Sequence, residues 1–256
     1  MSSLLRHPRR SGSHLAGAHI SLDGGTVPAR AHACPGVEGM AMVVVLDGSA
    51  IASATDYRRW GDQLSSLGFT HMRTGALSPR SAIPAELAGM MCVQQLALME
   101  LLPDQASRPR ITPGIHTRSL DHAGLAIASQ IDRAAFGTRW WLDESTLGDV
   151  CRATPKYRAR IAELDDATDP LGGFLISGRA GRTGYIQRLA VHPERHRTGF
   201  ASVLLADAFA WMRRHRVQRI FVNTHVDNEA ALALYRAHHF TELRERLAVH
   251  EGPTAP

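Results

Sequence analysis

Residues 200–214, FASVLLADAFAWMRR, set Phe200, Leu204, Ala208 and Trp211 on one helical face, with Leu205, Phe209 and Met212 beside them. That spacing predicts a widely buried helix. Strand patterns flank it at Tyr185–Val191 and Arg219–His225, followed by a helix over Glu229–Ala237 and a strand over Thr241–Val249. Upstream, Leu171–Ser177 and Tyr185–Val191 enclose GRAGRTG, a hairpin signal, and Tyr157, Ala159 and Ile161 alternate with Arg158 and Arg160 as in a half-buried strand. A helix with Ile127, Ile131 and Ala135 on its buried stripe starts at Ser119 or Asp121, and a second spans Leu142–Arg152 behind Asp143 or Ser145. Nearer the N-terminus, a strand is expected over residues 42–46 and a helix over 55–67, with Tyr57, Trp60, Leu64 and Leu67 at three- and four-residue spacing. A strand at 68–74, a helix at 83–91 opened by Pro84, and a strand at 93–102 follow.

These patterns divide the chain. Residues 1–39 mix Arg, His, Ser, Gly and Pro without period and read as a disordered basic tail, or as sequence ahead of a truer start at Met40 or Met42. Residues 40–102 form a small strand-helix-strand-helix-strand unit, 103–110 a proline-rich linker, 111–250 the main domain, and 251–256 a short disordered tail.

Composition removes several classes. The 256 residues are 44% hydrophobic, enough to bury a core, yet no apolar run reaches the ~18 residues of a membrane span. The N-terminus has basic residues but no apolar stretch of a secretory signal. Cys34, Cys92 and Cys151 are far apart, giving neither metal-ligand spacing nor an even disulfide framework, so a cytoplasmic, reducing location without a metal is expected. Net charge is +5, and of 29 basic side chains only Lys156 is lysine. The arginines are interspersed with acids and aromatics are only 6%, which argues against a nucleic-acid surface and fits an anionic small ligand.

The candidate chemistry lies in YIQRLAVHPERHRTGFASVLL and, after the helix, RIFVNTHVDNEAALALYRAHHF. A strand enters a basic turn, His196-Arg197-Thr198-Gly199-Phe200-Ala201-Ser202, and a helix starts at once. The first turn of a helix offers unpaired N–H groups and the positive end of its dipole, and Gly199 removes a Cβ from an approaching phosphate. The segment resembles the GNAT superfamily of acetyl-CoA-dependent N-acetyltransferases, whose motifs are Q/R-x-x-G-x-G/A and, downstream, N-x-x-A-x-x-L-Y-x-x-x-G-F. Gly199 and Ala201 match the first; Asn228, Ala231, Leu234, Tyr235 and Phe240 match the second. His196 departs from the usual Gln or Arg, and His239 from the usual Gly.

The resemblance implies an α/β (α+β) fold: a central mixed, mostly antiparallel sheet flanked by helices, preceded by the smaller half-domain. It implies acetyl-CoA as cosubstrate, held by the turn from His196 to Ser202, by the backbone of Leu189, Ala190 and Val191 along the pantetheine arm, and by Asn228. Asn228 is equally a good cap for the helix it precedes. Tyr235 becomes the acid that protonates the leaving thiolate, and Trp140 and Trp141 line the acceptor pocket unless they pack into the core. The same resemblance makes residues 68–90, GFTHMRTGALSPRSAIPAELAGM, a degenerate copy of 217–239 laid over it without a gap, with Glu86 opposite Tyr235. An unrelated αβ segment sharing only the pattern is the alternative.

The general base is not legible. Some family members carry a glutamate on the strand leading to Asn228; here Asn223 stands there, and neither it nor Gln187 can take a proton. His225, Asp227, His192 and a chain of waters remain. Freeing a lysine-like amine of pKa near ~10.4 at neutral pH costs about 4–5 kcal/mol, an α-amine of ~7.7–8.0 only about 1. The acceptor is therefore expected to be a primary amine, on a small molecule or a protein N-terminus, and a non-catalytic acyl-CoA sensor or interaction module is the rival reading.

Overall fold

The computed structural model describes residues 19–47, 50–105, 112–165 and 172–255. In chain order the first elements are β1 (Ile20–Leu22), β2 (Ala29–Ala33), β3 (Met40–Val45), α1 (Ala54–Ser66), β4 (His71–Thr74), α2 (Pro79–Leu87) and β5 (Met91–Leu101). There follow β6 (Ile115–Ser119), α3 (His122–Trp140), α4 (Glu144–Arg152), β7 (Lys156–Leu164), β8 (Gly173–Ala180), β9 (Thr183–Val191), α5 (Phe200–Arg214), β10 (Arg219–His225), α6 (Glu229–Ala237) and β11 (Thr241–Pro253). None of the described helices is long and apolar enough to cross a membrane. Two compact units result, Met1–Gln95 with Arg246–Pro256, and Leu96–Glu245.

In the first unit β1, β2 and β3 form an antiparallel meander, β3 runs parallel to β4, and β4 pairs antiparallel with the end of β11. Its core gathers Tyr57, Trp60 and Leu64 of α1 against Ala31, Ala41, Val43 and Met72. The expected tail 1–39 is thus corrected: residues 1–18 lie outside the described residues, but 19–39 contain two strands. Alanine alternating with arginine and histidine gives weak hydrophobic contrast, yet Ala29 and Ala31 are buried. The expected tail 251–256 is corrected as well. β11 continues to Pro253, Arg73 Nε donates to Glu251 at 2.7 Å, and Thr254 Oγ1 donates to Phe69 O at 2.7 Å. α2 opens at Ser78-Pro79 instead of Pro84: Ser78 caps the helix, Pro79 takes the first turn, and Pro84 lies inside.

The α1–β4–α2 and α5–β10–α6 segments share one helix-strand-helix order. Tyr57, Trp60, Gly61 and Leu64 match Leu205, Ala208, Phe209 and Met212, all buried on their helices. α2 and α6 are each nine residues, capped by Ser78 and Asn228. Both end on a left-handed residue, Gly89 (φ 91°) or His239 (φ 65°), before buried Met90 or Phe240. The gapless overlay is corrected: α6 sits behind two more residues of strand and loop than α2 does. Ala85 therefore stands opposite Tyr235, and Glu86 opposite Arg236.

In the second unit the sheet order is β5-β10-β9-β8-β7-β6, antiparallel throughout except β9 with β10. This is the mixed, mostly antiparallel sheet expected. α5 buries Phe200, Leu204, Leu205, Phe209 and Met212 against Met99, Leu101, Ile220 and Val222. A separate apolar cluster unites Ala128 and Ile131 of α3 and Leu147 and Cys151 of α4 with Ile161, Phe174 and Ile176. The unit begins at Leu96, so the boundary expected at residues 102–111 moves into β5, and at the other end Arg246 onward leaves it.

Candidate functional site

The site starts where two parallel strands separate. β9 pairs with β10 only from Thr183 to Ile186, then continues to Val191 on β8 alone. β10 continues through Asn223, Thr224 and His225 on β5. The β8–β9 register passes from Ile176↔Arg188 to Ser177↔Ile186, leaving Gln187 as the extra residue of a bulge. A bulge bends its strand and raises its twist, which directs the rest of β9 away from β10. Leu189, Ala190 and Val191 consequently present a backbone edge that β10 does not take. Gln187 is anchored by its Nε2 donating to Val150 O at 3.0 Å.

Beyond β9, Pro193–Arg195 makes one 3₁₀ turn. His196 donates Nε2–H to Val191 O at 3.1 Å, and Thr198 Oγ1 donates to Arg195 O at 2.6 Å. Arg197 (φ 61°) and Gly199 (φ 99°) are both left-handed, so the chain reverses tightly into α5. Gly199 is the N-cap and supplies no side-chain hydrogen bond, and α5 has no acid in its first turn. The other described α-helices are all capped by a side chain, Ser53, Ser78, Asp121, Asp143 or Asn228. At α5 the N–H groups of the first turn, Phe200, Ala201 and Ser202, are left without a capping side chain. The Phe200 ring itself is core, 1% exposed. Ser202 Oγ lies 3.2 Å from Nε2 of His238, whose pKa is lowered by burial and by the neighbouring His239.

The first unit shows the contrasting case. Asp56 at the start of α1 accepts from Thr26 N, Thr26 Oγ1 and Ser53 N, each at 2.7 Å, and from Ser53 Oγ at 2.9 Å. Its own carboxylate fills that helix N-terminus.

Downstream, Asn228 Oδ1 accepts the Ala231 N–H at 3.1 Å, so it caps α6. Tyr235 is buried with its ring 5.5 Å from Phe240. Burial pushes its phenol well above the usual range, and the Arg188 guanidinium partly offsets the rise. His225 Nδ1 accepts the Asp227 N–H at 3.1 Å, with the Asp227 carboxylate 3.7 Å away and 85% exposed. His192 N donates to Gly172 O at 2.9 Å, and Asn223 pairs with Leu98.

Trp140 and Trp141 follow a break in α3 at Gly137 (φ 68°, ψ 177°). Both are half-buried: Arg139 lies 5.7 Å from the Trp140 ring, and Arg133 5.4 Å from that of Trp141. A group missed from sequence holds this segment. Arg188 on β9 donates from Nε and Nη2 to the two oxygens of Asp132 at 2.7 Å each, and from Nη2 to Trp140 O at 2.9 Å. Its guanidinium packs 3.7 Å over Phe136. Asp132 also accepts Leu142 N–H at 2.7 Å. The available signal was one carboxylate on the apolar stripe of a helix and one arginine in an apolar strand.

The acetyltransferase (GNAT) family model matches residues 129–240, which contain the divergent strands, the turn and α6. This segment is a GNAT acetyltransferase domain. A GCN5-related N-acetyltransferase from Sphaerobacter thermophilus is 18% identical over 89% of this chain and 77% of its own, with a TM-score of 0.57. A tandem GNAT protein from the clavulanic acid biosynthesis pathway, solved without AcCoA, is 15% identical over 90% of this chain and 79% of its own, at 0.62. A GCN5-related N-acetyltransferase from Kribbella flavida is 12% identical over 92% and 90%, at 0.60. At these identities the likeness is one of fold. No curated protein matches the sequence.

Proposed function

We propose that the chain transfers an acetyl group from acetyl-CoA directly to a primary amine. The observation that carries this is the uncapped N-terminus of α5 set behind the divergence of β9 from β10. The residues fit the cosubstrate. Gly199 leaves no Cβ at the turn, the first-turn N–H groups of α5 receive the pyrophosphate, and Arg195 and Arg197 add long-range attraction. Leu189, Ala190 and Val191 hydrogen-bond the pantetheine arm as an added strand would, and Asn228, its oxygen engaged in the cap, offers its amide N–H. The thioester supplies an activated acyl group.

Tyr235 gives its proton to the departing sulfur, and its raised pKa keeps that proton in place at working pH. Trp140 and Trp141 border the acceptor. The acceptor nitrogen sheds its proton through water near His225 and Asp227, or directly to one of them, since Asn223 and Gln187 cannot accept it. That favours weakly basic amines, an α-amine of a small molecule or protein N-terminus. The free, widely separated cysteines fit a reducing compartment, the cytoplasm.

The test is release of CoA thiol from acetyl-CoA against a panel of amines. Amine-dependent release supports transfer. A melting-temperature rise with CoA but no release with any amine favours the sensor reading, which the missing carboxylate base keeps in play.

A further inference from the structure

The last turn of α5 and the hairpin joined to it form a basic surface outside the candidate site. α5 has 15 residues, so at ~1.5 Å per residue this end stands about 20 Å from the Gly199 turn. Gln218 N donates to Arg182 O at 2.7 Å, and β10 enters the sheet with Arg219 beside Thr183, which ties the β8–β9 hairpin to the end of α5. Residues 178–186 and 211–220 contain no acid. Arg182, Arg213, Arg214, Arg216 and Arg219 are all exposed. Arg219 donates to Glu100; the side chains of the other four have no hydrogen-bond or ion-pair partner among the described residues.

Helix stability does not account for this. Cations favour a helix C-terminus, yet α1 and α2 have none in their last turn. α4 and α6 have one each, Arg152 and Arg236, and both are paired with an acid. Arg216 is the sharper case. Its N–H donates to Arg213 O at 3.0 Å and that of Val217 to Met212 O at 3.1 Å, the two bonds of a left-handed helix stop, with Arg216 at φ 54°. Glycine takes this position with least strain, and Gly68 and Gly89 take it after α1 and α2. α5 keeps a strained arginine there instead. Unpaired like charges on adjoining loops repel, and an anion from outside relieves that repulsion.

We propose that this surface docks an acidic segment of a polypeptide, whose Asp and Glu carboxylates take the guanidinium groups in parallel pairs of bonds. Arg219 already makes that contact with a carboxylate of its own chain. Tyr185 and Trp211, the aromatic residues of the two segments, are engaged with Phe221 at 6.3 Å and His215 at 5.2 Å. Nucleic-acid bases therefore have no open ring of these segments to stack on. The proposal does not rest on the acyl-CoA reading.

The test is a fluorescein-labelled oligoglutamate peptide titrated at low salt and read by anisotropy. The proteins are wild type, Arg216→Gly, Arg182→Gln/Arg213→Gln/Arg214→Gln, and Arg244→Gln, an exposed arginine elsewhere. Wild type should bind the peptide. Arg216→Gly should weaken binding about three- to fivefold while its melting temperature holds or rises, which separates docking from folding. The triple variant should lose nearly all binding, and Arg244→Gln should match wild type. Excess CoA should not displace the peptide. Absence of binding by wild type overturns the proposal, as does undiminished binding by Arg216→Gly and the triple variant, or an equal loss in Arg244→Gln. Displacement by CoA overturns it too, by placing the peptide at the Gly199 turn. A single-stranded oligonucleotide that binds more tightly than the peptide, and is lost in the same variants, assigns the surface to nucleic acid and overturns the choice of partner.

Discussion

Gly199 abuts Thr112: a Cβ on residue 199 would lie 2.8 Å from Thr112 Oγ1. Glycine is needed there twice, for space and for a φ of 99°. Gly199→Ala should cost about 1–2 kcal/mol in stability through the left-handed backbone. Gly199→Asp adds a negative charge where the pyrophosphate is to sit. CoA should raise the melting temperature of wild type, as any ligand of the native state does, and leave the aspartate variant unmoved. A folded Gly199→Asp protein that still responds to CoA would remove the anion site from this turn.

Asp56 carries a second prediction. Burial pushes its carboxyl up, but the hydrogen bonds from Thr26 and Ser53 outweigh burial and hold its pKa at about 2. The folded value lies below the unfolded ~3.9, so the stabilisation is present above pH 4 and is lost as pH falls through 2. Its size is about 2 kcal/mol. Asp56→Ala should remove it at pH 7 and break the capping box while leaving the Ser53 cap on α1. Urea melts of wild type and variant at pH 7 should differ by that amount and converge toward pH 2. Parallel curves across this range would show that the carboxylate is not the stabilising group.

The filled end of α1 bears on the expected repeat. α5 presents open N–H groups where α1 presents a bonded carboxylate, so CoA should bind with a stoichiometry of one per chain. Gly199→Asp should abolish that binding, leaving no residual site. Calorimetric titration giving two sites, or one surviving Gly199→Asp, would contradict it.

Where local signals agreed, the sequence was sufficient. Phe200–Arg214, Arg219–His225 and Glu229–Ala237 have the bounds expected, because an uninterrupted apolar period meets a turn at each end. At α2 two prolines competed, and Ser78 with Pro79 decided the start. β1 and β2 were missed because their stability comes from pairing with β3, a non-local fact, while their alanines give little pattern. The turn at Gly199 was legible from residue types alone. The Arg188–Asp132 pair was not, since its members are 56 residues apart and only folding makes them neighbours.

Tyr235 gives the last prediction. It is buried against Phe240, so Tyr235→Phe keeps the ring packing and removes only the hydroxyl. Turnover should fall by roughly 10²–10⁴ with CoA affinity little changed, the pattern of an interaction made in the transition state. Because burial raises the phenol's pKa, deprotonation of Tyr235 should impose no alkaline limb on the rate up to pH 10. The acidic side belongs to the acceptor. With no carboxylate at Asn223, an amine must arrive largely unprotonated, so α-amines should react near neutrality and lysine side chains only as pH approaches ~10. Steady-state rates for an α-amine and a lysine side chain between pH 6 and 10 separate the two effects. Rapid acetylation of lysine side chains at pH 7 would defeat the acceptor argument, and a fully active Tyr235→Phe enzyme would defeat the acid.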